Sequence, residues 1–174
     1  MIGYEDAVSA ARALLGTPYK DLDCINLVKK VIRTALGGVG KYTTAGTNSL
    51  WKSFGMAEKY RDITWRQEGI SGAQGGMLAF KRSGSDVHHV GLVTREGTVI
   101  HSSSALGCVV ETPLTQEEGW NLLAVHWYIA PVKAQREEAA AEGSMQCAQV
   151  TIIDSAQNTF CPVGDFRVIL GSLD

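Results

Sequence analysis

Cys24, His89 and His101 are the residues of this 174-residue chain whose types and spacing suit nucleophilic chemistry. A thiolate is the nucleophilic form of cysteine, and an imidazole that faces the thiol can take its proton and later return it to a leaving amine. A second imidazole that accepts a hydrogen bond from the first ring fixes its tautomer. One cysteine and two histidines that meet in space would therefore form a covalent catalytic site.

The sequence around Cys24 predicts that this residue begins a buried helix. Asp23 is a favoured N-cap, an apolar stripe of helical period follows from Ile25 to Ala35, and Gly37-Gly38 ends it. A helix N-terminus favours negative charge, so this position is expected to lower the pKa of the thiol. The alternative is a buried cysteine that acts as a small apolar side chain.

The two histidines lie twelve residues apart, on predicted strands 87–94 and 98–102 that Arg95-Glu96-Gly97 connects. A hairpin centred on residue 95 places His89 directly opposite His101, and opposed side chains of an antiparallel pair share one face of the sheet. The alternative is a pair of half-buried histidines that bond only to their neighbours.

The remaining pattern predicts an α+β domain, because helical periods come first and strand periods follow. A first helix is predicted to begin near Tyr4 and to end before Gly16, and a short helix is expected through Leu50, Trp51 and Phe54. Residues 40–75 are otherwise irregular, and strands are predicted at 77–80, 87–94, 98–102, 108–111 and 122–130. We expect one domain over 1–132, a linker or exposed helix over 133–143, and a short β-rich extension of unknown role over 144–174.

Composition excludes several other classes of protein. The formal net charge is -2, so nothing suggests a nucleic-acid partner, and no apolar run is long enough for a membrane span. The four cysteines form no CxxC pair, although Cys147 and Cys161 are close enough in sequence to bond. The first residues show no secretory signal pattern.

Five segments in order resemble the NlpC-type cysteine peptidases, the p60 superfamily of bacterial peptidoglycan hydrolases. They are Gly16-Thr-Pro-Tyr19, Asp23-Cys-Ile-Asn-Leu-Val28, Gly76-Met-Leu-Ala-Phe80, His89-Val-Gly-Leu-Val93 and Val99-Ile-His101. The resemblance covers residues 3–130, and the interval between the two histidines matches the family's usual interval.

This resemblance implies a papain-like fold, with N-terminal helices on an antiparallel sheet of five to six strands and the nucleophile at a helix N-terminus. It implies Cys24 as nucleophile, His89 as base and His101 as orienting residue, with Tyr19 and Asp23 in supporting roles. The implied substrate is a peptidoglycan stem peptide, cut between γ-D-glutamate and diaminopimelate or lysine. No metal or other cofactor is expected. The implied place of action is the cell wall, and the missing signal suggests a phage or prophage origin.

The chain departs from the family where Ile25-Asn26 replaces the usual Ser-Gly and where Met77 replaces an aspartate. Two alternatives therefore stay open. One is a catalytically degenerate wall-binding module. The other is a metal site formed by Cys24, His89 and His101, since three such ligands can hold zinc. The oligomeric state is left open.

Overall fold

The computed structural model describes residues 1–38 and 42–133, which form helices on one antiparallel sheet. The helices are α1 (Tyr4–Arg12), α2 (Cys24–Ala35) and α3 (Thr47–Lys52), and two 3-10 turns follow at Ser53–Gly55 and Glu58–Tyr60. The strands are β1 (Ile63–Glu68), β2 (Leu78–Ser83), β3 (Asp86–Val93), β4 (Thr98–Ser103), β5 (Cys108–Pro113) and β6 (Leu122–His126). The sheet has six strands in the order β1-β6-β2-β3-β4-β5. The predicted α+β class is confirmed.

Helix α2 begins where the sequence predicts. The Asp23 side chain accepts a hydrogen bond from the backbone N–H of Asn26 at 2.8 Å, which satisfies one of the free donors of the first turn. Cys24 is the first helical residue, and the buried side of α2 packs into the main apolar cluster. The helix ends before Gly37, which has a φ of 77°.

The sheet separates two apolar layers, because successive strand residues point to opposite faces. On β2, Leu78 and Phe80 join the layer that contains the helices, whereas Ala79 packs with Trp120 in the second layer. The same alternation assigns Val93 of β3 and Val99 of β4 to the second layer. The odd-numbered positions up to Lys81 in β2, from His89 onward in β3 and in β4 therefore line one face. Val87, which lies before the irregularity in the β2–β3 register, joins the layer of the helices instead.

The hairpin between β3 and β4 differs in register from the prediction. Val93 pairs with Val99, so the loop is Arg95–Gly97 and its centre is residue 96 rather than 95. Gly97 takes a φ of 81°, as the last residue of a three-residue hairpin loop often does. His89 and His101 are therefore diagonal neighbours instead of directly opposed residues. They still share a face, because a shift of two residues preserves the side-chain alternation.

Two other expectations need correction. The edge strand β1 falls within the stretch predicted as irregular, and it pairs with β6. The predicted strand 122–130 ends earlier, at His126. The predicted linker or exposed helix 133–143, apart from Lys133, and the predicted extension 144–174, with Cys147 and Cys161, lie outside the described residues.

Gly91 allows β4 to approach β3 beside the histidines. A Cβ at this position would lie 2.9 Å from the Cβ of His101 and would also clash with Val99. We expect Gly91→Ala to lower the free energy of unfolding by roughly 1–3 kcal/mol, because it overpacks a buried contact. Urea unfolding measures the change. Gly55→Ala is the control, since a Cβ there meets nothing within 4 Å, and equal stabilities of the two variants would contradict the prediction.

Candidate active site

The sulfur of Cys24 lies at the meeting point of α2, α3 and β3. The backbone N–H groups of Val90 and Ile25 and the side chain of Thr47 lie near it and favour its thiolate form. Val90 directly follows His89 on β3, so the contact brings the sulfur to the strand that carries the predicted base. The Cys24 residue is only 7% exposed.

Burial decides the protonation of this thiol. It raises the pKa of Cys24, and the contacts from Val90, Thr47 and Ile25 oppose the shift without cancelling it. The expectation of a lowered pKa is therefore wrong in sign. The amide at the helix start does favour the thiolate, but desolvation of the charged form outweighs it.

The side chains at the start of α3 bond to other elements and do not cap the helix. Helix α3 has Gly46 as its N-cap, without a side-chain hydrogen bond. The Thr47 side chain instead contacts the Cys24 sulfur. The next residue, Asn48, donates to the Asp86 carboxylate at 2.6 Å and accepts from the backbone N–H of Val87 at 3.0 Å. These bonds fasten α3 to the start of β3.

His89 and His101 form a direct hydrogen bond. Nε2 of His89 lies 2.8 Å from Nδ1 of His101, and Nε2 of His101 lies 3.1 Å from Oγ1 of Thr112. If His101 donates to Thr112, its Nδ1 must accept from His89, and Nδ1 of His89 is then left without a proton. This tautomer is the one in which His89 can act as a base.

Both imidazoles are neutral near pH 7. Burial lowers the pKa of His89 to about 3, and the nearby charges of His101, Lys81 and His88 add to the shift. Burial, followed by the charge of Lys81, lowers the pKa of His101 to about 4. The fully buried Trp120 ring contributes to this burial, with its centroid 5.5 Å from that of His89 and 5.1 Å from that of His101.

The structure brings the two predicted histidines together but shows no hydrogen bond between Cys24 and His89 within residues 1–38 and 42–133. Catalytic hydrogen bonds are often long before substrate binds. Tyr19 lies near the nucleophile, since burial raises the pKa of its hydroxyl and the charges of Cys24 and Asp23 add to the shift.

Four residues around the site escaped the sequence analysis: Thr47, Lys81, Thr112 and Trp120. Thr112 carries no sequence signal, because any polar residue on a strand shows the same pattern. Among the described residues, no group of three or more His, Cys, Asp or Glu side chains is arranged to hold a metal ion. The nitrogens of His89 and His101 point at each other rather than at a common third point, so the metal alternative has no geometric support.

Comparisons with known proteins give a partial picture. No protein-family model matches the chain, and no curated protein does. Solved structures that match include the NlpC/p60 domain of the peptidoglycan hydrolase SagA, at 21% identity and a TM-score of 0.48, over 70% of this chain and 97% of that one. The peptidoglycan hydrolase RipB from Mycobacterium tuberculosis matches at 19% identity and a TM-score of 0.48, over 72% and 65% of the two chains.

A third match is the p60 domain of an antigen from M. avium subspecies paratuberculosis, at 17% identity and a TM-score of 0.49, over 72% and 94%. Identities below 25% and TM-scores below 0.5 do not assign an activity to this chain. Within residues 1–38 and 42–133, no helix combines the length and apolarity that a bilayer span requires.

The low pKa values of the histidines predict a loss of stability in acid. In the unfolded chain these groups bind a proton near pH 6.5, whereas the folded state resists protonation down to about pH 4 for His101 and about pH 3 for His89. The unfolded state then holds more protons, so stability is complete above pH 6.5 and falls as the pH falls. Each histidine contributes a slope of at most about 1.4 kcal/mol per pH unit.

Urea unfolding between pH 7 and pH 5 measures this slope. We expect a shallower slope for the double variant His89→Gln/His101→Gln and an unchanged slope for the exposed control His88→Gln. An unchanged slope in the double variant would contradict the burial of neutral rings.

The Thr47 contact predicts a change in thiol reactivity. Thr47→Val removes a polar group that favours the thiolate, so the pKa of Cys24 should rise further. Alkylation by iodoacetamide at pH 8 should then be several-fold slower, because the loss of thiolate outweighs the gain in intrinsic nucleophilicity. Peptide mapping by mass spectrometry separates Cys24 from Cys108, and Thr43→Val, at an exposed position, is the control. Faster alkylation of Thr47→Val would contradict the assignment.

Proposed function

We propose that this chain is a cysteine endopeptidase that hydrolyses peptidoglycan stem peptides through a thioacyl intermediate. The observation that carries the proposal is the hydrogen bond between His89 of β3 and His101 of β4. The next residue of β3, Val90, lies beside the Cys24 sulfur. The sequence segments that resemble NlpC-type peptidases supply the substrate class, and the bond between γ-D-glutamate and diaminopimelate or lysine is the one proposed. The site of action is then the bacterial cell wall.

The first half of the reaction forms the thioacyl enzyme. Nδ1 of His89 takes the thiol proton of Cys24 as the sulfur attacks the peptide carbonyl, and the carbonyl electron pair moves to oxygen. The backbone N–H of Cys24 has no partner among the hydrogen bonds of the described residues, so it is available to hold this oxyanion. The intermediate collapses, the C–N bond breaks, and His89 returns the proton to the leaving amine.

The second half releases the product. Water enters where the amine has left, and His89 takes one of its protons as the oxygen attacks the thioacyl carbon. The C–S bond breaks, and the proton returns to the sulfur. His101 keeps Nδ1 of His89 directed at the reaction by accepting from Nε2, and Thr112 holds His101 in turn.

The protonation states make the first proton transfer unfavourable before substrate arrives. The pKa of the thiol is raised and that of His89 is lowered to about 3, so the resting pair is neutral. Proton transfer must therefore accompany attack on a bound carbonyl. The same observation favours the second candidate function, a degenerate module that binds stem peptides without turnover.

Substitutions at the site predict a graded loss of activity. We expect Cys24→Ala to abolish cleavage of a stem peptide, because no nucleophile remains, and His89→Ala to lower kcat by about 10²–10⁴ through loss of the base. His101→Gln and Thr112→Val should cause smaller losses, because they act through His89. Mass spectrometry of digested wall fragments is the measurement.

The pH profile provides a further check on the same assay. Because both histidines are neutral down to about pH 4, their protonation should cost no activity between pH 7 and pH 5.

Undiminished cleavage by Cys24→Ala would rule out the proposed chemistry. Binding without hydrolysis by fresh, reduced wild-type protein would instead support the degenerate module.

A further inference from the structure

Lys81 is a charged residue beside the histidines that the mechanism does not use. It lies on β2 directly opposite His89 of β3. Directly opposed residues share a face and have Cβ atoms about 4.5–5.5 Å apart. The ammonium group of Lys81 therefore projects from the same face as the two imidazoles.

Packing fixes the position of this ammonium. Nζ lies 4.6 Å from the centre of the Trp120 ring, which also contacts both histidines. The lysine stem passes Gly119, where an added Cβ would lie 3.6 Å from Cδ of Lys81. The stem and the ammonium group are thus positioned beside the candidate site by the Trp120 ring.

The charge of Lys81 has no direct counter-ion in the described part of the chain. Burial lowers the pKa of Lys81, and only the exposed Glu118 opposes the shift at a distance. None of the ion pairs or hydrogen bonds within residues 1–38 and 42–133 includes its Nζ. The donors of this partly buried ammonium bond to no protein group in that part of the chain, so they are available to an anion.

We propose that Lys81 binds a carboxylate of the substrate next to the scissile bond. The inference rests on the proposed function, which identifies the carboxylate. A glutamate linked through its γ-carboxyl group keeps its α-carboxylate free, and the Cα that carries this carboxylate lies along the side chain from the carbonyl carbon of the γ-link. Lys81 then selects stem peptides with a free α-carboxylate over those in which this group is a carboxamide.

Two matched peptides test the proposal. One is N-acetyl-L-alanyl-γ-D-glutamyl-L-lysine amide, whose only carboxylate is the glutamate α-carboxylate, and the other carries a carboxamide there. Their dissociation constants are measured by calorimetry with the Cys24→Ala protein, which cannot turn them over. The kcat/KM values for both peptides are measured with the intact nucleophile.

We expect the carboxylate peptide to bind about tenfold more tightly, as one charge-assisted contact typically provides. Lys81→Gln should bring this ratio close to one, and Lys81→Arg should retain a preference. The control Lys30→Gln, at an exposed position, should keep the full ratio. A lysine that only packs on Trp120 would instead, when replaced, lower Tm and weaken both peptides equally.

The outcomes separate the two proposals. An unchanged ratio in Lys81→Gln, or no binding of either peptide, overturns the role of Lys81. Cleavage of both peptides with that unchanged ratio would leave the proposed function standing. Carboxylate-selective binding that Lys81→Gln removes, without cleavage by the wild type, would support the role of Lys81 and reject turnover.

Discussion

The candidate site depends on one constraint: on the N-terminal side of Leu92, strand β3 is no longer paired with β4. Both the N–H and the C=O of Val93 bond to the β2 side, to Met77 and Gly76. Because successive backbone groups alternate in direction, the N–H of Val90 points towards β4. The β3–β4 ladder, however, contains only the pairs Leu92–Ile100 and Val93–Val99. A buried N–H without a partner is costly, and the Cys24 sulfur lies near the Val90 N–H, on the side where β4 supplies no paired carbonyl.

A close approach of β4 at Gly91 explains how the imidazoles meet. Gly91 lets the His101 backbone come close, and the diagonal offset gives the two rings room for an edge-to-face contact at 89°. The pair is buried without a carboxylate, so the protein lowers the pKa of both rings instead of stabilising an imidazolium. The hydrogen bond from His89 to His101 fixes the orientation of the His89 ring. Its low pKa makes His89 a weak base before substrate binds.

The sequence predicts the features that depend on local patterns. Asp23 marks the start of α2, and the period of two assigns His89 and His101 to one face even though the register is two residues away from the expected one. It does not predict β1, where the burial of successive residues does not alternate and one edge is open. The pKa of Cys24 could not be predicted either, because desolvation depends on packing from α3 and β3, which are distant in sequence.

The residues that depart from the family pattern after Cys24 do not disturb the contacts of the sulfur. Ile25 is buried in the main apolar cluster, and only its backbone N–H, which any residue other than proline supplies, reaches the sulfur. The N–H of Asn26 is bonded to the Asp23 cap, and its side chain accepts from Lys29 at 3.3 Å. Both side chains are therefore used by the helix and its packing. Ile25-Asn26, the departure that suggested a degenerate module, therefore affects the packing and capping of α2. The observation that favours this alternative is instead the neutral resting state of Cys24 and His89.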